Sequence, residues 1–104
     1  MIIDHRTYNV KHGKIKAYID LFEKEGLQVQ LKHLGNLIGY FETAIGPLNQ
    51  VIHLWGYESL ADMEKRRAAR DKDPAWTEYK TKSRGMLESQ ENKIVVPTSF
   101  SPIK

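Results

Sequence analysis

Two short segments carry the side chains that could do chemistry. Ile2-Ile3-Asp4-His5-Arg6-Thr7-Tyr8 sets a carboxylate, a guanidinium and a phenol at alternate positions, and Val51-Ile52-His53-Leu54-Trp55-Gly56-Tyr57 does the same for an imidazole, an indole and a phenol. Alternate spacing in a strand points each triple to one face. An imidazole titrates near neutrality, so His53 in an aromatic pocket is a candidate general acid or base. Arg6, Tyr8 and Tyr57 suit the carboxylate or phenol of an aromatic metabolite, with Phe41 and Trp55 as apolar walls. Each has a plainer alternative. His53 could simply hydrogen-bond across an interface, and Arg6 could pair with Asp4 or Glu42 to satisfy buried charge.

Other chemistry finds little support. His5, His12, His33 and His53 have no regular spacing, so no metal is expected, and no cofactor is implied. The chain has no cysteine, which excludes disulfides, thiolate ligands and a cysteine nucleophile. The glycines are scattered and build no phosphate loop. There is no serine elbow. Trp76 and Tyr79 read as core anchors of a helix. The net charge is +3, with bases gathered between Lys65 and Arg84. Asp71, Asp73 and Glu78 interrupt them, so the stretch reads as a solvated helix face and no nucleic-acid partner is expected. No apolar run approaches the ~20 residues that cross a bilayer, so no membrane insertion is expected. The first residues are charged where a secretory leader is apolar, and a cytoplasmic location is the expectation.

The elements that must hold these residues follow from periodicity. Residues 2–9 alternate as a strand. Ile15, Tyr18, Ile19 and Phe22 have helical spacing, and the stripe resumes at Leu27, Leu31 and Leu34, with Gly26 as a kink and Gly35 as the stop. Strands are predicted over 36–44 and 50–57, joined by Gly46-Pro47-Leu48-Asn49. Ser59 should cap one helix, and Asp73-Pro74 should start another whose face runs through Trp76, Tyr79, Ser83, Met86 and Leu87. Asn92–Val96 reads as the last strand. The order β-α-β-β-α(α)-β predicts an α+β, ferredoxin-like domain over 1–97, with a four-stranded antiparallel sheet and an irregular tail over 98–104.

One layer of helices covers one face of such a sheet. The aliphatic set Ile52, Leu54 and Gly56 suits the helices, which leaves His53, Trp55 and Tyr57 on the open face with Tyr8 and Phe41; His5 then faces the helices. Four exposed aromatics would present about 600 Å² or more, beyond what a soluble monomer usually shows. A second copy should cover them, making a homodimer with a possible small-molecule ligand between the sheets.

Arg6-Thr7-Tyr8, Gly39 with Phe41, Asn49 to Tyr57, Asp73-Pro74-Ala75-Trp76 with Tyr79, and Ser89 to Lys93 resemble the NIPSNAP family of the dimeric α/β-barrel superfamily. The resemblance covers nearly the whole chain, and His-x-Trp-x-Tyr is its most specific part. His5 departs from it, since an apolar residue is more usual there. The resemblance implies a homodimeric barrel of unassigned biochemical activity. Two functional readings follow: a binding protein for a small aromatic ligand, and a cofactor-independent, monooxygenase-like or isomerase-like enzyme with His53 as acid/base.

Overall fold

The computed structural model describes all 104 residues. The elements are β1 (Ile2–Val10), α1 (Ile15–Leu21), a π-helical turn (Phe22–Gly26), α2 (Leu27–His33), β2 (Asn36–Glu42), β3 (Gln50–Tyr57), α3 (Leu60–Asp71), α4 (Pro74–Ser83) and β4 (Leu87–Val95). All strand pairs are antiparallel, in the order β2-β3-β1-β4. This is the ferredoxin-like α+β arrangement. Every helix lies on one side of the sheet, and the thinnest dimension of the molecule is 19 Å. That is room for two layers, so the other sheet face has no cover within the chain.

Local chemistry places the ends. Asp62 N–H donates to Ser59 Oγ at 3.1 Å and caps α3. Ala75 N–H donates to Asp73 Oδ1 at 2.9 Å, with Pro74 in the first turn of α4. Asp73 also takes a 2.8 Å hydrogen bond from His33, which ties the end of α2 to the start of α4. This bond and the Ala75 N–H hold the Asp73 carboxyl below its usual range.

The first helical rod carries its irregularity where Gly26 stands. Leu27 N–H donates to Phe22 O, five residues back, so the rod swells by one residue there. A Cβ on Gly26 would sit 2.7 Å from Phe22 Cδ1 and 3.0 Å from Tyr79 Cε1. The glycine therefore lets α4 press its Tyr79 ring against the rod. Gly35, at φ +85°, ends the rod as expected.

Two expectations need correction. The helix expected to reach Leu87 stops at Ser83, and β4 begins at Leu87 rather than Asn92. Gly85, at φ +82°, turns the chain between them. β4 is an edge strand exposed along almost its whole length, so no hydrophobic alternation marked its start.

The second correction concerns the sheet faces. Val51, His53, Trp55 and Tyr57 lie beneath the helices, each at most 3% exposed. Trp55 and Tyr57 share one core with Phe22, Leu34 and Tyr79. Ile52, Leu54 and Gly56, with His5, take the open face instead. The reason lies in what the helices offer. Their inward residues include Tyr18, Phe22 and Tyr79, and rings pack on rings. Phe22 stacks on Tyr40 at 4.8 Å and meets Tyr79 edge-on at 5.9 Å.

Replacing Gly26 by Ala should lower stability, although Ala is the better helix former by about 1 kcal/mol. Forcing a methyl against two buried rings costs about 1–3 kcal/mol. Urea denaturation checks this; a variant as stable as the parent would contradict the close approach.

Candidate functional site: a cationic, aromatic pocket under the helices

Alternation in β1 turns Asp4, Arg6 and Tyr8 toward the helices. Asp4 is 1% exposed, and a carboxylate there needs partners. Arg6 Nη1 donates to Asp4 Oδ2 at 2.9 Å, and Asn92 Nδ2 donates to Asp4 Oδ1 at 3.2 Å. Arg67 on α3 brings its Nη1 to 3.8 Å from the same carboxylate. Arg6 Nε donates to the Tyr8 hydroxyl at 2.9 Å. Burial works against the Arg6 charge, but the Tyr8 oxygen and Asp4 outweigh it and the pKa is raised.

Above this pair lies a pocket of about 170 Å³. Its floor is sheet: Arg6, Tyr8, Trp55 and Gln90. Its roof is helix: Gln30, Arg67, Arg70, Trp76 and Lys80. Arg70 Nη1 donates to Gln30 Oε1 at 3.2 Å, and Nη2 donates to Asp71 Oδ1 at 2.9 Å. The Arg70 guanidinium also lies over the Trp76 ring at 4.5 Å. Lys80 holds its ammonium 5.9 Å from the same ring. Partial burial, then Arg70 and Arg6, push the Lys80 pKa down. Four cations thus face two carboxylates, Asp4 and Asp71, and a positive surplus remains against aromatic walls.

A smaller chamber of about 30 Å³ adjoins this pocket; Tyr8, Gln30, Trp76, Lys80 and Gln90 are walls of both. His53 and Tyr40 close its inner end, with their rings stacked at 4.7 Å. Trp55 Nε1–H donates to His53 Nδ1 at 2.8 Å. An indole nitrogen can only donate, so Nδ1 must accept, and the neutral ring carries its proton on Nε2. No protein group accepts from Nε2, and the buried Tyr40 hydroxyl is also without a partner. Burial first, then Arg6, pushes the His53 pKa down to about 3. Tyr40 is likewise pushed up, chiefly by burial, and Tyr79 up to about 12. The His53 and Tyr40 end of the chamber is therefore uncharged at neutral pH, while Lys80 lines the wall shared with the outer pocket. With one nitrogen accepting and the other protonated, His53 has no lone pair free to act as a base. Its arrangement is that of a hydrogen-bond donor.

The six residues singled out from sequence separate in three ways. Arg6, Tyr8 and Trp55 come together in the pocket, and His53 closes the inner end of the adjoining chamber. Tyr57 is buried in the core and borders a different, open cleft of about 400 Å³ near Met1 and Arg66. Arg66 there is already bound to Asp62 at 2.9 Å. Phe41 is 53% exposed on the opposite sheet face and takes no part. The pocket thus lies between the sheet and the helices of the chain. Gln30, Arg67, Arg70, Trp76, Lys80 and Gln90 were not foreseen. Arg67 with Arg70, and Trp76 with Lys80, do have the three- and four-residue spacing that shares a helix face. No three His, Asp or Glu side chains meet in a way that could hold a metal ion. No helix is long and apolar enough to cross a membrane.

Comparison with known proteins agrees with the fold. The NIPSNAP family model matches residues 3–102. A Protein NipSnap homolog of Dictyostelium discoideum is 35% identical over 91% of this chain and 42% of its own length. Human Protein NipSnap homolog 3A is 34% identical over 94% of this chain and 40% of its own. The chain therefore spans less than half the length of these curated relatives. Among solved structures, a NIPSNAP family protein of unknown function from Agrobacterium tumefaciens superposes with a TM-score of 0.96 at 44% identity, covering 100% of this chain and 94% of that one. An uncharacterized NIPSNAP-like domain protein from Burkholderia xenovorans gives 0.91 at 47%, covering 97% and 88%. An antibiotic biosynthesis monooxygenase shares the fold alone, with a TM-score of 0.66 at 10% identity over 94% of this chain and 99% of that one.

The histidine makes a pH prediction. An unfolded chain protonates His53 near 6.5, whereas the folded chain resists until about 3. Between those values the unfolded state holds the extra proton, so stability falls as pH falls, by about 1.4 kcal/mol per unit from this group. Urea midpoints at about pH 6.5 and about pH 5 should draw together in His53→Phe relative to the parent. Equal pH slopes in the two proteins would contradict a neutral, buried His53.

Proposed function

The chain belongs to the NIPSNAP family, and on that premise we propose that it is a homodimeric protein that binds a small aromatic acid in the pocket beneath its helices. The surplus of positive charge above the Arg6–Asp4 pair carries this reading. A carboxylate would complete the charge balance, and a ring would lie among Tyr8, Trp55 and Trp76. A volume of about 170 Å³ fits a single substituted ring and is below the ~300 Å³ at which drug-sized sites begin. The Arg6 and Arg70 forks are partly spent on Asp4 and Asp71, so Lys80, which makes no ion pair, and Arg67 are the cations with donors to give.

The enzyme reading, monooxygenase-like or isomerase-like with His53 as acid/base, stands second. Its support is likeness of fold, and fold does not carry chemistry. A cytoplasmic setting completes the proposal, because a chain without cysteine loses nothing in a reducing compartment.

The dimer is argued from the open face. Ile52 and Leu54 form its centre on β3, Phe41 lies on β2 and Val95 on β4. Phe41 lays its ring across Gly39, where a Cβ would stand 2.5 Å from Phe41 Cζ. That fold-over flattens an apolar face on a sheet with nothing above it. A second copy offers the same flat face by two-fold symmetry, and closing the two makes the barrel.

Two measurements test these claims. Benzoate should bind by calorimetry, benzamide should not, and Lys80→Gln should weaken benzoate about fivefold or more. Equal binding of benzoate and benzamide would contradict an anion site. Leu54→Lys should turn a sedimenting dimer into a folded monomer; a dimer that survives this charge would place the interface elsewhere.

A further inference from the structure

The inner chamber has a feature that the anion pocket does not explain. His53 is 2% exposed, and its Nε2–H has no acceptor in the protein. Tyr40, stacked on it, has a buried hydroxyl that makes no hydrogen bond of good geometry, although the Tyr18 hydroxyl lies close enough to influence it. A buried polar group left unpaired costs about 1–3 kcal/mol, and here two occur side by side in the wall of one small chamber. The Trp55 bond prevents relief by a change of tautomer, because Nδ1 must stay an acceptor. Tyr8, edge-on to His53 at 4.7 Å, fixes the ring from another side. The His53 donor is thus held in place with no protein acceptor in front of it.

Resting on the anion-pocket reading, we propose that His53 and Tyr40 form a second, neutral subsite that donates hydrogen bonds to a carbonyl oxygen on the bound aromatic acid. The ligand class is then a ring carboxylic acid that also bears an aldehyde or ketone. Its carboxylate would face Lys80 and Arg67 in the outer pocket, and its carbonyl would reach the adjoining chamber. An oxygen with two lone pairs can take both donors at once. The chamber, at about 30 Å³, has room for such an oxygen and not for a second ring. A charged oxygen is the less suitable guest beside His53 and Tyr40, since the one cation among the chamber's walls, Lys80, is shared with the outer pocket. A bridging water is the competing occupant, as it could use both donors too.

Titration of the full chain at about pH 7 with benzoate, para-formylbenzoate and meta-formylbenzoate separates these outcomes. The better formyl isomer should bind about tenfold tighter than benzoate, the effect of one or two buried hydrogen bonds. His53→Phe should remove that advantage and Tyr40→Phe should reduce it, each read as the ratio of formylbenzoate to benzoate affinity in the same variant. If His53→Phe does not fold, histidine ring NMR of the parent supplies the answer. The Nε2 proton should shift with the formyl probe and stay in place with benzoate. If benzoate binds and neither isomer gains, the chamber holds water and the carbonyl subsite is wrong, while the anion pocket stands. If benzoate itself does not bind, the anion pocket fails and the subsite falls with it.

Discussion

The Asp4 carboxylate must be neutralised deep inside the protein, and much of the helix-covered face follows from that need. Arg6, two residues along the same strand, reaches it directly, and Asn92 reaches it from β4. Arg67 approaches from α3, so the carboxylate also draws a helix toward the sheet. Removing one partner of such a group would strand a buried charge, a loss of about 3–5 kcal/mol. The guanidiniums that gather there exceed what one carboxylate needs. The positive surplus of the pocket is therefore a by-product of how the sheet and helices are joined, available for binding without further construction.

A second polar element sits deeper. The Trp55–His53 hydrogen bond lets an indole and an imidazole share a face that is otherwise aromatic. It also decides which nitrogen bears the proton. One contact thus sets both packing and hydrogen-bond polarity, and burial keeps the ring neutral. The outer pocket offers charge and the inner chamber offers neutral donors, an asymmetry that would orient a ligand having unlike ends.

The elements were legible in the sequence because their signals were local. β3 has the predicted bounds, Ser59 and Asp73 cap the helices as read, and Gly35 ends the first rod. β4 was shortened because an exposed edge strand carries no alternation. The sheet faces were inverted for a different reason. Alternation separates His53, Trp55 and Tyr57 from Ile52 and Leu54, but both sets are apolar enough to be buried. Which set meets the helices depends on Tyr18, Phe22 and Tyr79 across the interface and on partners for Asp4. That information is tertiary. The same gap hid the roof of the pocket, since Arg70 and Lys80 become site residues only once α3 and α4 lie over β1. Arg6, Tyr8, Trp55 and His53 were found because strand periodicity grouped them, whichever face they took.

The proposed ligand pocket lies under the helices, and the proposed contact with a second copy lies on the open sheet face. Amide and indole NMR during a benzoate titration tests this placement most directly, because Trp55 and Trp76, the only two tryptophans, both border the pocket. Ligand in this pocket should shift both indoles and the Arg70 and Gln90 amides, with Phe41, Ile52 and Leu54 unmoved. Shifts that gather on Phe41, Ile52 and Leu54, with both indoles silent, would contradict it.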